Sequence, residues 1–187
     1  AEPSAGHGAI ARFFPGDTNN TFIEPSYALS SQLSINTNGT IRQQRFEDLH
    51  VVNKFDAIAM NPPFGTSGKT AMEHLEKAFN HLREVGRVVA IVPNGPSMQK
   101  RLEKFLYGEN DKGKPNNPDA HLIAEVVLPQ VTFERAGTKV GTKIIVIDKA
   151  SNPENVQPTR RIELDRIDNI GELFDQIEHL SLPERTK

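Results

Sequence analysis

The chain has no cysteine. That excludes disulfides and thiolate metal sites, and it suits a reducing compartment. It has no apolar run of membrane length and no signal peptide, so the cytoplasm is the default location and no membrane partner is expected. It has no basic excess either, with 22 Lys and Arg against 24 Asp and Glu and a net charge of −2. A protein that holds nucleic acid by itself usually carries such an excess. Binding of DNA or RNA would therefore need a local patch, another domain or a partner subunit. No internal repeat is visible. What is present is 187 residues, 36% of them hydrophobic and 25% charged, which is enough for one α/β domain with a core.

The chain is organised around Phe55-Asp56-Ala57-Ile58-Ala59-Met60, an apolar run that ends abruptly in Asn61-Pro62-Pro63-Phe64. Proline has no N–H, and it pushes the residue before it into extended geometry. The reading is a strand that stops at a stiff, extended loop. In an open parallel sheet, the carboxyl ends of the strands are where ligands bind. On its own, the same tetrapeptide would also serve as a structural turn with a core Phe.

Upstream, Glu2-Pro3-Ser4-Ala5-Gly6-His7-Gly8 opens a short helix through Ile10, Ala11, Phe13 and Phe14, ended by Pro15-Gly16. A glycine turn of this kind lets a ligand approach the backbone. Thr21 to Ile23 reads as a strand ending at Glu24, sixteen residues after Gly8 (24 − 8). A carboxylate at about that distance is placed to take ribose hydroxyls. Two turn glycines and a solvated Glu would look the same.

A helix from Tyr27 to Ile35, a turn at 36–39 and a strand from Thr40 to Phe46 lead to Glu47-Asp48. After the glycine loop at 65–68, the spacing predicts a helix from Thr70 to Glu84, with Leu75, Ala78, Leu82 and Val85 on one stripe and Gly86 as its cap. His74 and His81 lack the spacing and the carboxylate partner of a metal pair, and they read as surface or packing residues. Arg87 to Pro93 has the composition of a buried parallel strand. Met98 to Tyr107 is a helix with a solvated Lys100, Arg101 and Lys104 face, and 108–119 is a polar loop. Strands at 122–128 and 142–148 are expected at one sheet edge, with Phe133 in the loop between them. A linker, a short strand near 161–164 and a helix over 170–180 close the chain. Alternating strand and helix argue for a doubly wound sheet. The features at Glu2–Gly8, Glu24, Asp48 and Asn61–Phe64 then converge on one sheet edge.

Gly65-Thr66-Ser67-Gly68-Lys69-Thr70 lies where a phosphate-binding P-loop would, but the position five residues before Gly68 is Pro63 rather than Gly. Two prolines stand where amides would cradle phosphate, which argues against a nucleotide triphosphatase.

Glu2–Gly8 resembles the first motif of class I S-adenosylmethionine-dependent methyltransferases. Asn61-Pro62-Pro63-Phe64 resembles the catalytic motif of those that methylate planar nitrogens, above all adenine-N6 DNA methyltransferases. The order continues through Gly86-Arg87-Val88-Val89-Ala90-Ile91-Val92-Pro93-Asn94-Gly95, Val127-Leu128-Pro129, Phe133 and Gly141-Thr142-Lys143-Ile144-Ile145-Val146-Ile147, so the likeness covers residues 1–149. It implies a Rossmann-like, mostly parallel sheet with an antiparallel edge strand. It implies S-adenosylmethionine as cofactor, with Gly6 and Gly8 against its methionine part, Glu2 near its amino group and Glu24 on its ribose. Asp48 would take its adenine amine, with Glu47 as competitor, and Phe46 or Leu49 would flank the ring.

The resemblance also implies a target amine whose lone pair is delocalised into the base. Such an amine needs orientation more than a strong base. The Asn61 side-chain carbonyl and the Pro62 backbone carbonyl would accept its two hydrogens and aim the lone pair at the methyl group. Phe64 would stack on a flipped base, a contact worth ~1–3 kcal/mol.

The expected organisation is a catalytic domain at 1–149 that begins inside its first motif, then a linker and helical extension at 150–187. No target-recognition domain is recognisable in residues 151–187, so DNA is expected to be held with an additional domain or subunit, as in a restriction-modification or phage-related protein. RNA amines, protein glutamine and an inactive scaffold are the rival readings.

Overall fold

A computed structural model describes residues 1–51, 54–132, 140–152, 158–182 and 184–185. Phe133 and part of the 151–159 linker lie outside the described residues. Among those described, no helix is long and apolar enough to cross a membrane.

The strands are β1 (Glu2–Pro3), β2 (Thr21–Ile23), β3 (Thr40–Arg42), β4 (Phe55–Met60), β5 (Leu82–Pro93), β6 (Ala120–Val127), β7 (Thr142–Lys149) and β8 (Arg160–Glu163). The helices are α1 (Tyr27–Asn36), α2 (Lys69–His81), α3 (Pro96–Tyr107) and α4 (Ile170–Glu178). Hydrogen bonding gives a three-stranded sheet, β1-β2-β3, and a five-stranded sheet, β4-β5-β7-β6-β8. The two meet at Ala1. The Ala59 amide donates to the Ala1 carbonyl at 3.1 Å, and the Ala1 amine donates to the Ala57 carbonyl at 2.7 Å. This is the slanted pattern of a parallel pair, so the combined order is β3-β2-β1-β4-β5-β7-β6-β8.

The architecture is the expected mixed α/β sheet, mostly parallel with one antiparallel strand. That strand is β7, and it is not at the edge. It runs antiparallel to β5 on one side and to β6 on the other, while β8 pairs parallel to β6 beyond it. Burial explains the position. Ile145, Val146 and Ile147 are all fully buried, so β7 needs cover on both faces and on both flanks.

One face of this sheet carries the main core. Ile58 and Met60 of β4, Val88, Ala90 and Val92 of β5, and Ile145 and Ile147 of β7 pack against Ala71, Leu75, Ala78 and Phe79 of α2 and Met98, Leu102 and Phe105 of α3. These residues recur at helical spacing on α2 and α3 and on alternate positions of the strands, as burial on one face requires. Beyond residue 150, Leu164 and Leu173 pack on Val126 and Leu128, and Asn169 caps α4 by accepting the Glu172 amide at 2.8 Å.

The helix expected to reach Glu84 stops at His81. Leu82 is buried, but as the first residue of β5, where it pairs with Phe55. The Lys54 amide takes the His81 carbonyl. Val85 sits at φ 57° and is 40% exposed. Gly86 therefore lies within β5 and is not a helix cap. The helix expected after Gly8 is a single 3-10 turn, Ala11–Phe13.

Candidate cofactor and substrate site

From β1 the chain winds outward to β2 and β3, then returns past β1 to start β4. The winding direction reverses between β1 and β4, and that crevice, at the carboxyl ends of the strands, is where open α/β sheets bind ligands. The loops after β1 and β4 form its two lips.

The loop after β1 is held in left-handed backbone at Ser4 (φ 57°), Gly6 (φ 57°) and Gly8 (φ 94°). Ser4 is unusual there as a non-glycine residue. The two glycines answer to different demands. A Cβ on Gly8 would lie 3.0 Å from Leu33 Cδ1 and 3.1 Å from Thr37 Cγ2, so α1 packs directly on it. A Cβ on Gly6 would have no atom within 4 Å, so the space beside it is open. Glu24, at the end of β2, is 6% exposed and ties this loop down. Its Oε2 accepts the Gly6 amide at 2.9 Å and its Oε1 accepts the Ser26 amide at 2.8 Å.

Glu2 is 3% exposed, and its Oε2 has no hydrogen-bond partner. Burial pushes its carboxyl up to about 8, against the opposing pull of a hydrogen bond from the Ala11 amide. A buried carboxyl lacking one partner is an incomplete arrangement, and a ligand cation would complete it.

The turn bearing Glu47 and Asp48 is a 3-10 turn, Phe46–Asp48. Glu47 faces α2, where its Oε1 lies 3.1 Å from His74 Nε2. Its own backbone amide, foremost, holds its carboxyl below the usual range. Both carboxylates are exposed, but Glu47 is the one drawn to His74, which favours Asp48 as the candidate for a ligand. Phe46 and Leu49, expected beside a ligand ring, are 2% and 3% exposed and belong to the core. His74 and His81 are likewise buried packing residues.

After β4, Asn61 and Pro63 are exposed, Pro62 is buried and Phe64 is half-buried against the core. The loop then closes onto α2 and α3. The Ala71 amide donates to the Phe64 carbonyl at 3.3 Å. Gly65 (φ 65°) abuts Thr70, and Gly68 (φ 75°) abuts Met98. Asn94, exposed at the end of β5 with its amide bonded to the Gly141 carbonyl at 2.7 Å, joins the same edge. In the sequence Pro93-Asn94-Gly95 follows a strand much as Asn61-Pro62-Pro63 does, and that is the signal that marks Asn94.

Comparison with solved structures decides what this architecture is. A candidate class I S-adenosylmethionine-dependent methyltransferase from Listeria monocytogenes superposes with a TM-score of 0.64 at 13% identity, over 95% of this chain and 62% of that one. The fold is that of the class I methyltransferases. A candidate RNA methyltransferase from Pyrococcus horikoshii shares this fold, with a TM-score of 0.60 at 17% identity over 82% of this chain and 73% of that one. So does the modification subunit of a candidate type I restriction enzyme from Vibrio vulnificus, with a TM-score of 0.58 at 14% identity over 98% of this chain and 49% of that one. The chain thus spans about three-fifths of the Listeria protein and half of the Vibrio subunit. No protein-family model and no curated protein matches the sequence. In this fold, the crevice between β1 and β4 has open space beside Gly6 and a buried Glu2 oxygen without a hydrogen-bond partner.

Proposed function

We propose that this chain is an N-methyltransferase domain that uses S-adenosylmethionine to methylate the exocyclic amine of adenine in DNA. One observation carries the reading. The exposed Asn61, on a proline-stiffened strand end, stands across the winding reversal from a glycine loop with open space at Gly6 and a partnerless buried carboxyl at Glu2.

When bound, S-adenosylmethionine supplies a methyl group on a sulfonium. Glu2 would hold its ammonium, the loop at Gly6 and Gly8 would border its methionine part, Glu24 would take its ribose and Asp48 its adenine amine. The Asn61 side-chain carbonyl and the Pro62 carbonyl would accept the two hydrogens of the target amine and fix its lone pair. Prolines 62 and 63 limit the freedom of both carbonyls, so little ordering remains to be done at the moment of reaction. Phe64, half-buried, would present a ring face to a flipped base. With a net charge of −2, the chain would hold DNA together with another domain or subunit. The restriction modification subunit that shares its fold supports that setting.

The RNA methyltransferase that shares the fold at similar TM-score favours RNA amines as the second reading. Transfer of a labelled methyl group to adenine-containing DNA, to RNA and to a glutamine peptide, with and without candidate partner subunits, separates these readings. Transfer to DNA is expected. Transfer to RNA alone would overturn the DNA reading. Asn61→Ala should lower transfer at least 100-fold, the cost of about 3 kcal/mol expected when a positioned polar group is lost. It should leave cofactor affinity unchanged, and equal loss of cofactor binding would refute the role given to Asn61.

A further inference from the structure

The face of α2 turned toward the Phe46–Asp48 turn carries His74, Lys77 and His81, at spacings that align residues along one side of a helix. Each holds a different atom of the turn. His74 Nε2 lies 3.1 Å from Glu47 Oε1, Lys77 Nζ donates to the Glu47 carbonyl at 2.7 Å, and His81 Nε2 lies 3.3 Å from the Leu49 carbonyl. A carbonyl only accepts, so His81 must carry its proton on Nε2. The Phe46 ring is packed edge-on to both imidazoles, at 5.3 Å from His74 and 5.8 Å from His81, with Lys77 Nζ 5.7 Å from its centre. His74 and His81 are buried, and Glu47, which could otherwise rival Asp48, is turned into this grip. The amino end of the same helix holds the substrate loop through the bond from the Ala71 amide to the Phe64 carbonyl.

We infer that His74, Lys77 and His81 are positioning residues for the cofactor's adenine: by gripping the Phe46–Leu49 turn they hold Asp48 where it reads the adenine amine, and the one helix sets that point relative to Asn61. The inference rests on the proposed cofactor reading. The grip acts on the cofactor and not on the target amine. Loosening it should therefore raise KM for the cofactor and leave kcat close to unchanged, whereas Asn61 variants do the reverse.

The test compares binding of S-adenosylhomocysteine with that of S-inosylhomocysteine, in which the adenine amine is replaced by a carbonyl. Calorimetry at pH 8 on the full chain would read the ratio of affinities. The wild type should favour the adenosyl ligand by on the order of tenfold or more, because Asp48 accepts from the amine. Lys77→Met and the double variant Lys77→Met/His74→Gln should reduce that preference several-fold, while Glu103→Gln on α3 should leave it intact. Lys77→Met keeps the aliphatic stem and serves if the double variant does not fold. A folded variant that keeps the full preference would overturn the inference and leave the cofactor reading standing. Equal binding of both ligands by the wild type would remove the role of Asp48 and overturn it as well. Binding of neither ligand by the wild type would overturn the cofactor reading, and the inference with it.

Discussion

Replacing Glu2 by Gln is the perturbation that tests the site most directly. With its carboxyl pushed up to about 8, Glu2 is roughly nine-tenths protonated in the free protein at pH 7. A raised carboxyl pKa means that the folded chain binds this proton more tightly than the unfolded chain does. Its contribution to stability is therefore complete below the ordinary value of 4.5 and is lost as the pH rises through 8. The full span is worth at most about 5 kcal/mol at 1.36 kcal/mol per pH unit. Gln is neutral throughout, so the variant should match the wild type near pH 5 and be the more stable protein at pH 9.

Cofactor binding should move the other way. An ammonium beside Glu2 favours its ionised form, so the wild type should release close to one proton per cofactor bound at pH 7. Gln keeps an acceptor oxygen but not the charge, and should weaken binding about tenfold, the difference between a neutral and a charge-assisted hydrogen bond. Thermal melts from pH 5 to pH 9 read the first effect. Calorimetric titrations at pH 7 in two buffers of different ionisation enthalpy count the proton. A wild-type melting temperature that does not fall between pH 5 and pH 8, together with equal proton release by the Gln variant, would refute the reasoning.

The remaining predictions concern the frame of the site. Gly8→Ala places a Cβ against Leu33 and Thr37 at φ 94° and should cost about 2–3 kcal/mol in urea unfolding. Gly6→Ala meets no atom and should cost about 1 kcal/mol while weakening the cofactor instead; equal stability losses would contradict the division drawn between the two glycines. Glu24→Gln removes one of the two oxygens that accept the Gly6 and Ser26 amides. It should cost about 1–3 kcal/mol and lower cofactor affinity with little change in kcat, and a change in kcat alone would argue against the assignment. Lys143 is buried and donates to Gln99 at 2.6 Å and to Glu125 at 2.7 Å, with Arg161 3.1 Å from the other Glu125 oxygen. Lys143→Met should cost about 3–5 kcal/mol and Lys143→Met/Glu125→Leu much less; a single variant costing under about 1 kcal/mol would show that the pair is not shielded from water.

The strand ends were legible in the sequence because their signals are local. Two prolines after an apolar run can only terminate a strand, and Glu24 follows Ile23 directly. The rest depended on partners far along the chain. Leu82 fits an apolar helix stripe and a buried strand equally well, and only its pairing with Phe55 decides between them. The interior place of β7 cannot be read from its own residues, since an apolar run shows the need for cover and not which strands supply it. The contact that draws Glu47 toward α2 lay with His74, twenty-seven residues beyond it. Burial of Glu2 was hidden for the same reason, since a carboxylate in a turn motif ordinarily suggests exposure.

The interior position of β7 also bears on how the chain assembles as it is made. A ribosome delivers β5 about fifty residues before β7, the strand that pairs with it along Arg87–Pro93. Throughout that interval one flank of β5, rich in valine, presents open backbone groups to any extended chain nearby. The late strand thus acts as a closing wedge. Slowing synthesis before β7 has left the ribosome should raise the yield of aggregated chain, whereas a pause after it has emerged should not.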